Sequence, residues 1–512
     1  MGLRDEGNGN VASSLRPEHP VPRSLARLAD DFGLEVRGSL EGVEVTGVSA
    51  DPEDIEDDEL FVGLPAGGAH GAAFAADVRE RGAVALLTDP AGAELAADSG
   101  LPVLVTADPR EALGDLAAWV HRTHEHPPLL FAVTGTRGKT SVVHLLDAIL
   151  RQLGVATGFS TTTERRAAEE SVHRASSPDA PELHALLARM RESGVRAAAI
   201  EVPAQALTQG MVGGLVFDVV GFTNLGDDHL VDYPDAEAYL AAKQSLFDPD
   251  RSRRGVVDVD GEAGRRVADE ARIPITTVAT VPGSADWTVT VTDEGRSGTG
   301  FRLEGPGGSA IESTVPLIGR YMASNAALAI VMLVESGFEL AAIGHALERD
   351  GGIQVDIPGL AERVSGEDGP AVFVDYGHAL PGVLGTLDAL RPLTPGRVIV
   401  VLAVGAGSGI PAEQVRALLD RADVGIVAGP TLPDSAGTPS PSAASTTADV
   451  QLVAEPREAL RRALAVAEQG DSVLYAPTAH EDYLETTGVK HPYSARDDAR
   501  LAIQEAGWRV ES

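Results

Sequence analysis

The 512-residue chain predicts an α/β protein of three domains. The central domain is a mainly parallel sheet with a glycine-rich turn and an attached antiparallel meander, and the last domain is Rossmann-like. Three observations lead there. Apolar runs of strand length alternate with segments of helical spacing, the pattern of doubly wound parallel sheets. One such run, Leu129–Thr134, passes directly into a turn bearing Gly and Lys and then into an amphipathic segment. At roughly 150 residues per domain, the length accommodates about three domains.

Residues 1–20 are polar, lack the apolar core of a signal peptide, and read as a disordered tail. Residues 21–127 read as a small α/β domain, with strands at 60–62 and 83–88 and a helix at 110–121. A polar stretch, 121–128, leads to the central domain, 128–356. Its first strand, LLFAVT, is an apolar run up to Thr134, as suits a strand buried on both faces. The following segment places Val142, Leu145, Leu146, Ile149 and Leu153 on one side of a helix. Further strands are expected at 196–202 and 217–223. Segments 288–292, 300–303 and 313–317 read as the antiparallel meander, and 323–335 as a helix. The pattern restarts in the third domain, 357–512, with strands at 371–376, 397–404, 423–427 and 471–476 and helices at 456–468 and 495–506. Residues 433–449, rich in Ser, Thr, Ala and Pro, read as a flexible loop.

Composition narrows the function. Hydrophobic residues make up 43% but aromatics only 4%, so the cores are built from Ala, Val and Leu. With 41 Lys and Arg against 76 Asp and Glu, the formal charge is −35. Such a surface repels nucleic acid and anionic membranes, and neither is an expected partner. A negatively charged substrate then needs a local basic or amide-lined site. The absence of cysteine excludes disulfides, thiolate catalysis and cysteine-ligated zinc, and fits a cytoplasmic protein. No run of about 18 apolar residues is present, so no membrane span is expected.

The strongest motif is Thr134-Gly135-Thr136-Arg137-Gly138-Lys139-Thr140-Ser141, set between strand and helix. Glycines at 135 and 138 let backbone amides face a phosphate, and the helix adds its N-terminal dipole. Lys139 supplies a point charge for the β- and γ-phosphates, and the Thr140 hydroxyl suits Mg²⁺. Only Thr136 and Arg137 separate Gly135 from Gly138, so the loop is shorter than the usual phosphate loop, which has four residues before Gly-Lys. ATP with Mg²⁺ is the cofactor set this motif implies.

Other chemistry-bearing residues sit where strands are expected to end, the ligand-binding edge of such sheets. Glu201 closes the strand 196–202. Asn224, Asp227, Asp228 and His229 follow the strand 217–223, and Lys243 lies on the next helix in Tyr239-Leu240-Ala241-Ala242-Lys243. Carboxylates and an imidazole near a triphosphate are what a metal-assisted site requires.

Together these segments resemble the Mur ligase family, within it the branch that adds the third amino acid of the peptidoglycan stem. The resemblance runs in order along nearly the whole chain. Thr46-Gly47-Val48-Ser49, Leu60-Phe61-Val62 and Ala69-His70-Gly71 look like its uridine-binding domain, and the shortened loop matches its Thr-Gly-Thr-x-Gly-Lys-Thr. Ser176-Ser177-Pro178-Asp179-Ala180 resembles its Thr-Thr-Pro segment. The resemblance makes Glu201 a Mg²⁺ ligand together with Thr140, and His229 the holder of a second Mg²⁺. It makes Lys243 a lysine carbamylated to a metal-associated carboxylate. Asn325 corresponds to an asparagine near the adenine. Asp375-Tyr376-Gly377-His378 matches the opening of the third domain, and His480-Glu481-Asp482-Tyr483 a segment near the incoming amino acid. The implied reaction forms an acyl phosphate from ATP and a carboxylate, which an amine then attacks. ATP is expected between the second and third domains.

The chain departs from the family at several motifs. Glu-Val-Ser-Ser-His reads Glu201-Val202-Pro203-Ala204-Gln205, and a substrate-holding arginine is Met211. Gly-Arg-Met-Glu reads Gly359-Leu360-Ala361-Glu362, with Arg363 next. Gly405-Ala406-Gly407-Ser408-Gly409-Ile410 replaces a Gly-Gly-Asp-Arg stretch. Pro430-Thr431-Leu432-Pro433 stands where Asp-Asn-Pro-Arg selects diaminopimelate, and Pro477-Thr478-Ala479 where Gly-Lys-Gly precedes His-Glu. Three readings follow: a cell-wall ligase, a ligase reassigned to a specialised metabolite, and a non-catalytic nucleotide-binding paralogue serving a partner subunit. The first two take a small carboxylate acceptor and an amino acid; the third takes a paralogue or a second copy of the chain.

Overall fold

The computed structural model describes residues 14–65, 68–174, 176–226, 232–376, 380–403, 412–428, 449–453, 455–477, 483–486, 489–492 and 494–510. The chain divides into two compact units, Met1–Val278 with Leu328–Glu339, and Ala279–Ala327 with Leu340–Ser512.

The first unit contains two large sheets and a two-stranded antiparallel pair, Arg23–Ser24 with Glu44–Val45. The N-terminal large sheet has five strands in the order Glu35–Arg37, Val103–Val105, Ala85–Thr88, Glu59–Gly63, Gly47–Ser49, parallel except for the first. Side-chain alternation splits its apolar residues between two cores: Leu60, Val62, Ala85 and Leu87 pack on one face, Phe61 and Leu86 on the other. The helix Pro109–Val120 begins with Pro at its first position, and the Asp108 carboxylate accepts from Arg110 N and Glu111 N.

The second sheet carries the glycine-rich turn. Leu129–Thr134 lies inside it, flanked in parallel by Ala197–Glu201 and Val219–Phe222. Beyond these come Thr157–Ser160 on one side and Gly255–Asp258 and Ile275–Ala279 on the other. Register aligns Glu201 with Val133 and Phe222 with Thr134, so the chain leaves all three central strands at one edge. An antiparallel hairpin, Glu164–Ala167 and Glu170–His173, extends the sheet past Thr157–Ser160. Its sequence, ERRA and ESVH, has no apolar alternation, because ion pairs take the place of apolar packing. Arg165 is almost wholly buried, 3.0 Å from Glu182 Oε1, and donates to Ser176 O at 2.6 Å.

Residues 14–19, read from sequence as part of a disordered tail, are ordered instead. The Arg16 guanidinium pairs with Asp54 at 3.1 Å, with Glu56 at 3.5 Å and with Glu59. Glu18 N and His19 N donate to the Glu192 carboxylate at 2.8 and 3.0 Å. Charge, not hydrophobicity, ties this segment down, which is why a polar composition misled. Residues 1–13 lie outside the described residues.

The second unit has a six-stranded sheet in the order Glu362–Arg363, Ala371–Val374, Ser472–Pro477, Val398–Ala403, Val424–Ala428, Asp449–Val453, parallel apart from its first strand. Val372, Val374, Ile399 and Val401 fill the core on one face, Phe373, Val398, Val400 and Leu402 that on the other. Helices Pro456–Val466 and Ala495–Glu505 supply Leu460, Leu464, Ala499 and Ile503 to the first of these cores. The meander is present as Trp287–Gly295, Gly298–Glu304 and Ala310–Val315, antiparallel throughout. Of the loop expected at 433–449, only Asp449 is described, as the start of a strand.

A buried histidine joins segments of the first unit. His184 is fully buried; its Nε2 donates to Gly213 O at 2.9 Å, so Nδ1 accepts the Thr123 hydroxyl at 2.7 Å. Burial lowers its pKa from 6.5 to about 4. The folded state therefore binds fewer protons than the unfolded chain between these values. The stability this contributes is full above pH 6.5 and lost as the pH falls through 4, about 3 kcal/mol in all. An NMR titration should give the His184 ring a midpoint near 4, and a midpoint of 6 or above would contradict the neutral, two-bonded ring.

Candidate functional site

The turn after Leu129–Thr134 is built by two glycines and closed by a neighbouring loop. Gly135 has φ +143° and Gly138 +86°, both in the region that favours glycine. A Cβ on Gly135 would land on the Thr223 hydroxyl. The loop after Val219–Phe222 clasps the turn at several points. Thr136 N donates to Asn224 O at 2.9 Å, and Arg137 N to Asn224 Oδ1 at 3.1 Å. Arg137 O accepts from Asn224 Nδ2 at 3.0 Å and from the Thr223 hydroxyl at 2.6 Å. Asn224, expected in the metal constellation, thus shapes the loop. Gly138 then caps the helix Lys139–Gln152.

The chemistry-bearing side chains gather on this frame. Lys139, at the helix start, donates its Nζ to Thr136 O at 2.9 Å and lies 3.7 Å from Glu201 Oε1. The Thr140 hydroxyl donates to Glu201 Oε2 at 2.8 Å, and Thr162 N approaches the same oxygen at 3.3 Å. Glu201 is buried at the end of its strand. Ser141, the third residue of the helix, is buried. From the helix Ala236–Gln244, capped by the Asp235 carboxylate on Ala238 N, Lys243 reaches back to donate to Gly135 O at 2.8 Å. Lys243 is 1% exposed. Burial first, then the nearby Lys139 charge, lower its pKa to about 6, against the opposing pull of Glu201. Its amine is therefore largely uncharged at neutral pH.

So Gly135, Thr136, Gly138, Lys139, Thr140, Ser141, Glu201 and Lys243 share one edge of the sheet. His229, Asp227 and Asp228 lie outside the described residues, as do Gly377, His378, 405–410, 430–433 and 478–482. Asn325 and Asp375 belong to the second unit. Asn325 is buried within Arg320–Glu335, and Asp375 accepts the Thr386 hydroxyl at 2.5 Å. Among the described residues no group of three or more His, Cys, Asp or Glu forms a metal cage. The hydroxyl of Thr140 and the carboxylate of Glu201 are nevertheless hard oxygen donors beside a phosphate loop. That is the partial ligand set Mg²⁺ uses when phosphates and water complete its shell.

The altered motifs have local explanations. Pro203 precedes the short helix Ala204–Thr208, and Ala204 packs with Tyr239 and Ala242. Gln205 donates to Asp232 at 3.1 Å. In the second unit Gly359, φ +68°, lies under the Tyr376 ring, which leaves no room for a Cβ. Arg363 donates to Ser297 Oγ at 3.2 Å and Gly366 O at 2.8 Å, while Arg496 lies 2.5 Å from Glu362. Tyr239, which covers Lys243, carried no signal beyond its place four residues earlier on the same helix.

A parallel sheet whose central strand runs into such a loop defines an ATP-using protein of the phosphate-loop class. The Mur ligase middle domain matches residues 133–333, and the Mur ligase, glutamate ligase domain matches residues 361–479. The UDP-N-acetylmuramyl-tripeptide synthetase of Leifsonia xyli subsp. xyli is 54% identical, over 98% of this chain and 99% of that protein. The UDP-N-acetylmuramoyl-L-alanyl-D-glutamate–2,6-diaminopimelate ligase of Streptomyces coelicolor is 37% identical, over 95% of this chain and 98% of that one. A solved ligase of the latter name superposes with a TM-score of 0.66 at 23% identity, covering 96% of this chain and all of that chain. A MurF ligase from Thermotoga maritima, in complex with ADP, superposes at 0.61 and 15% identity, covering 90% and 97%. The chain belongs to the Mur ligase family: it is an ATP-dependent ligase that forms amide bonds.

Gly135→Ala places a methyl group on the Thr223 hydroxyl and forces alanine to positive φ, whereas Gly154, φ +77°, has open space around it. Thermal or denaturant unfolding should show a loss of about 2 kcal/mol or more for Gly135→Ala and about 1 kcal/mol for Gly154→Ala. Equal losses would show that the clasp does not hold the turn.

Proposed function

We propose that the chain uses ATP to activate the carboxylate of a UDP-N-acetylmuramoyl-peptide and joins it to the amine of an amino acid, the third of the stem. The observation that carries this reading is the convergence of Lys139, Thr140, Glu201 and a largely neutral Lys243 on one loop, in a chain 54% identical to a UDP-N-acetylmuramyl-tripeptide synthetase. Phosphoryl transfer between two anions requires mainly positioning and charge neutralisation. Lys139 supplies a fixed positive charge and the turn supplies amides. The carboxylate oxygen takes the γ-phosphoryl group as the bond to ADP breaks. The amine then attacks the acyl carbon, a proton leaves the nitrogen, and phosphate departs.

Thr140 and Glu201 would hold Mg²⁺, and His229 with modified Lys243 a second one; the ions would neutralise phosphate and carboxylate charge. An ammonium at Lys243 would oppose that role. A neutral amine can react: its lone pair forms an N–C bond to CO₂, a C=O electron pair moves to oxygen, and one proton passes to water. The result is a carbamate, a carboxylate-like group on the lysine. Asn325 and Asp375 serve the nucleotide, with adenine at the asparagine. The missing Asp-Asn-Pro-Arg at 430–433 supports an amino acid other than diaminopimelate. No described helix is long and apolar enough to cross a membrane, and ATP with a nucleotide-linked acceptor makes the cytoplasm the compartment of the reaction.

Phosphate release from ATP, with Mg²⁺ and bicarbonate, against UDP-muramyl peptides and a panel of amino acids, tests this. Turnover should require both a UDP-muramyl dipeptide and one amino acid. ATP binding with no turnover on any pair would overturn the acceptor assignment in favour of the reassigned ligase. Lys139→Ala should lower turnover by about 10³-fold or more, the scale of a lost phosphate-site charge. Near-normal turnover in that variant would remove Lys139 from the mechanism.

A further inference from the structure

Tyr239 and Lys243 are one helical turn apart, the spacing that brings side chains together on a helix face. Tyr239 is 3% exposed, and its ring centroid is 4.2 Å from Lys243 Nζ. Its hydroxyl is 3.4 Å from Thr136 Oγ1, which accepts from Gly226 N at 2.9 Å. The Tyr233 ring, 5.1 Å away, packs with Ala204, Ala242 and Leu225 around Tyr239. The ring is therefore fixed both to the phosphate turn and to a small apolar cluster, and it forms one wall of the Lys243 site.

We infer that Tyr239 is a positioning residue whose ring face sets the direction of the carboxyl group carried by Lys243. The inference rests on the reading of Lys243 as a carbamylated lysine. Carbamylation leaves one N–H on Nζ, and Gly135 O at 2.8 Å is placed to accept it. The two new oxygens share a negative charge. An aromatic face is itself negative, so it repels those oxygens. With Gly135 O on one side and the ring on another, the oxygens turn to the remaining side. The four-carbon lysine stem would otherwise leave the group free to rotate, at a cost in ordering. A leucine offers apolar bulk but no charged face, whereas phenylalanine keeps the face and loses only the hydroxyl.

The full-length chain incubated with ¹³C-bicarbonate reports the carbamate directly by NMR, independently of turnover. The wild type should show a carbamate resonance. Tyr239→Leu should keep the label, since it removes only a repulsive face, and should lower kcat for phosphate release by about tenfold, because the group no longer points one way. KM for ATP should stay within about twofold. Tyr239→Phe should keep both the label and the wild-type kcat. ATP binding checks that the leucine variant is folded; if it is not, Tyr239→Met, which also lacks a π face, takes its place with the same expected loss. Wild-type kcat in the leucine or methionine variant, or a tenfold lower kcat in the phenylalanine variant, overturns the role of the ring face. No label in the wild type overturns the carbamate reading itself, and this inference with it.

Discussion

The hydrogen-bonded clasp between the Gly135–Gly138 turn and Thr223–Asn224 is the constraint on which the rest of the site depends. A peptide loop with two residues at positive φ has no reason to hold its shape alone. Here Asn224 bonds to it through both its backbone and side chain, and the Thr223 hydroxyl is a second donor to Arg137 O. Parallel pairing of the strands before these two segments brings them to the same level. The same turn then offers Thr136 O to Lys139 and Gly135 O to Lys243. Two lysines thus anchor to carbonyls of one turn, and their spacing is inherited from its backbone.

This arrangement decides the protonation of the site. Two ammonium groups near each other with a single close carboxylate cannot both be charged at low cost, and the more deeply buried one loses its proton. Lys139 keeps Glu201 at 3.7 Å, while Lys243 has a carbonyl, an aromatic ring and little solvent. The chain carries 76 acidic residues, yet the site itself is lysine-bearing, so the bulk acidity and the local chemistry are separate matters. Short-range charge at Lys139 suits the turn to a triphosphate.

The motif departures gather in different surroundings from the phosphate turn. At 203–205, Ala204 packs against the tyrosine that covers Lys243, so the change couples to the site through packing. At 359–363, a glycine under Tyr376 and an arginine committed to Ser297 and Gly366 occupy the stretch with internal structure. Membership of the Mur ligase family and its ligase chemistry survive these changes.

Local pattern carried much of the fold. The apolar run of LLFAVT, the Gly-Lys-Thr that follows it and the spacing of Val142 to Leu153 are properties of neighbouring residues, and each reads directly as strand, turn and helix. The residue types needed for phosphate and metal chemistry were legible for the same reason. Other features depend on residues far apart in the chain. The hairpin at 164–173 is held by Arg165 and its partner Glu182, and the segment at 14–19 by Arg16 with Asp54 and Glu59; polar strings such as these look like loop or tail until their partners are known. Nor could composition show that Asn224 shapes the turn while Glu201 meets Thr140. That division follows from strand register, since a carboxylate and an amide at the same sheet edge differ in role only by which backbone groups pairing brings within reach. Sequence alone determined the chemistry available to this protein, because it resides in residue types and short spacings. Tertiary structure decided which groups meet and which lysine gives up its charge, because burial and distance exist only once the sheet has formed.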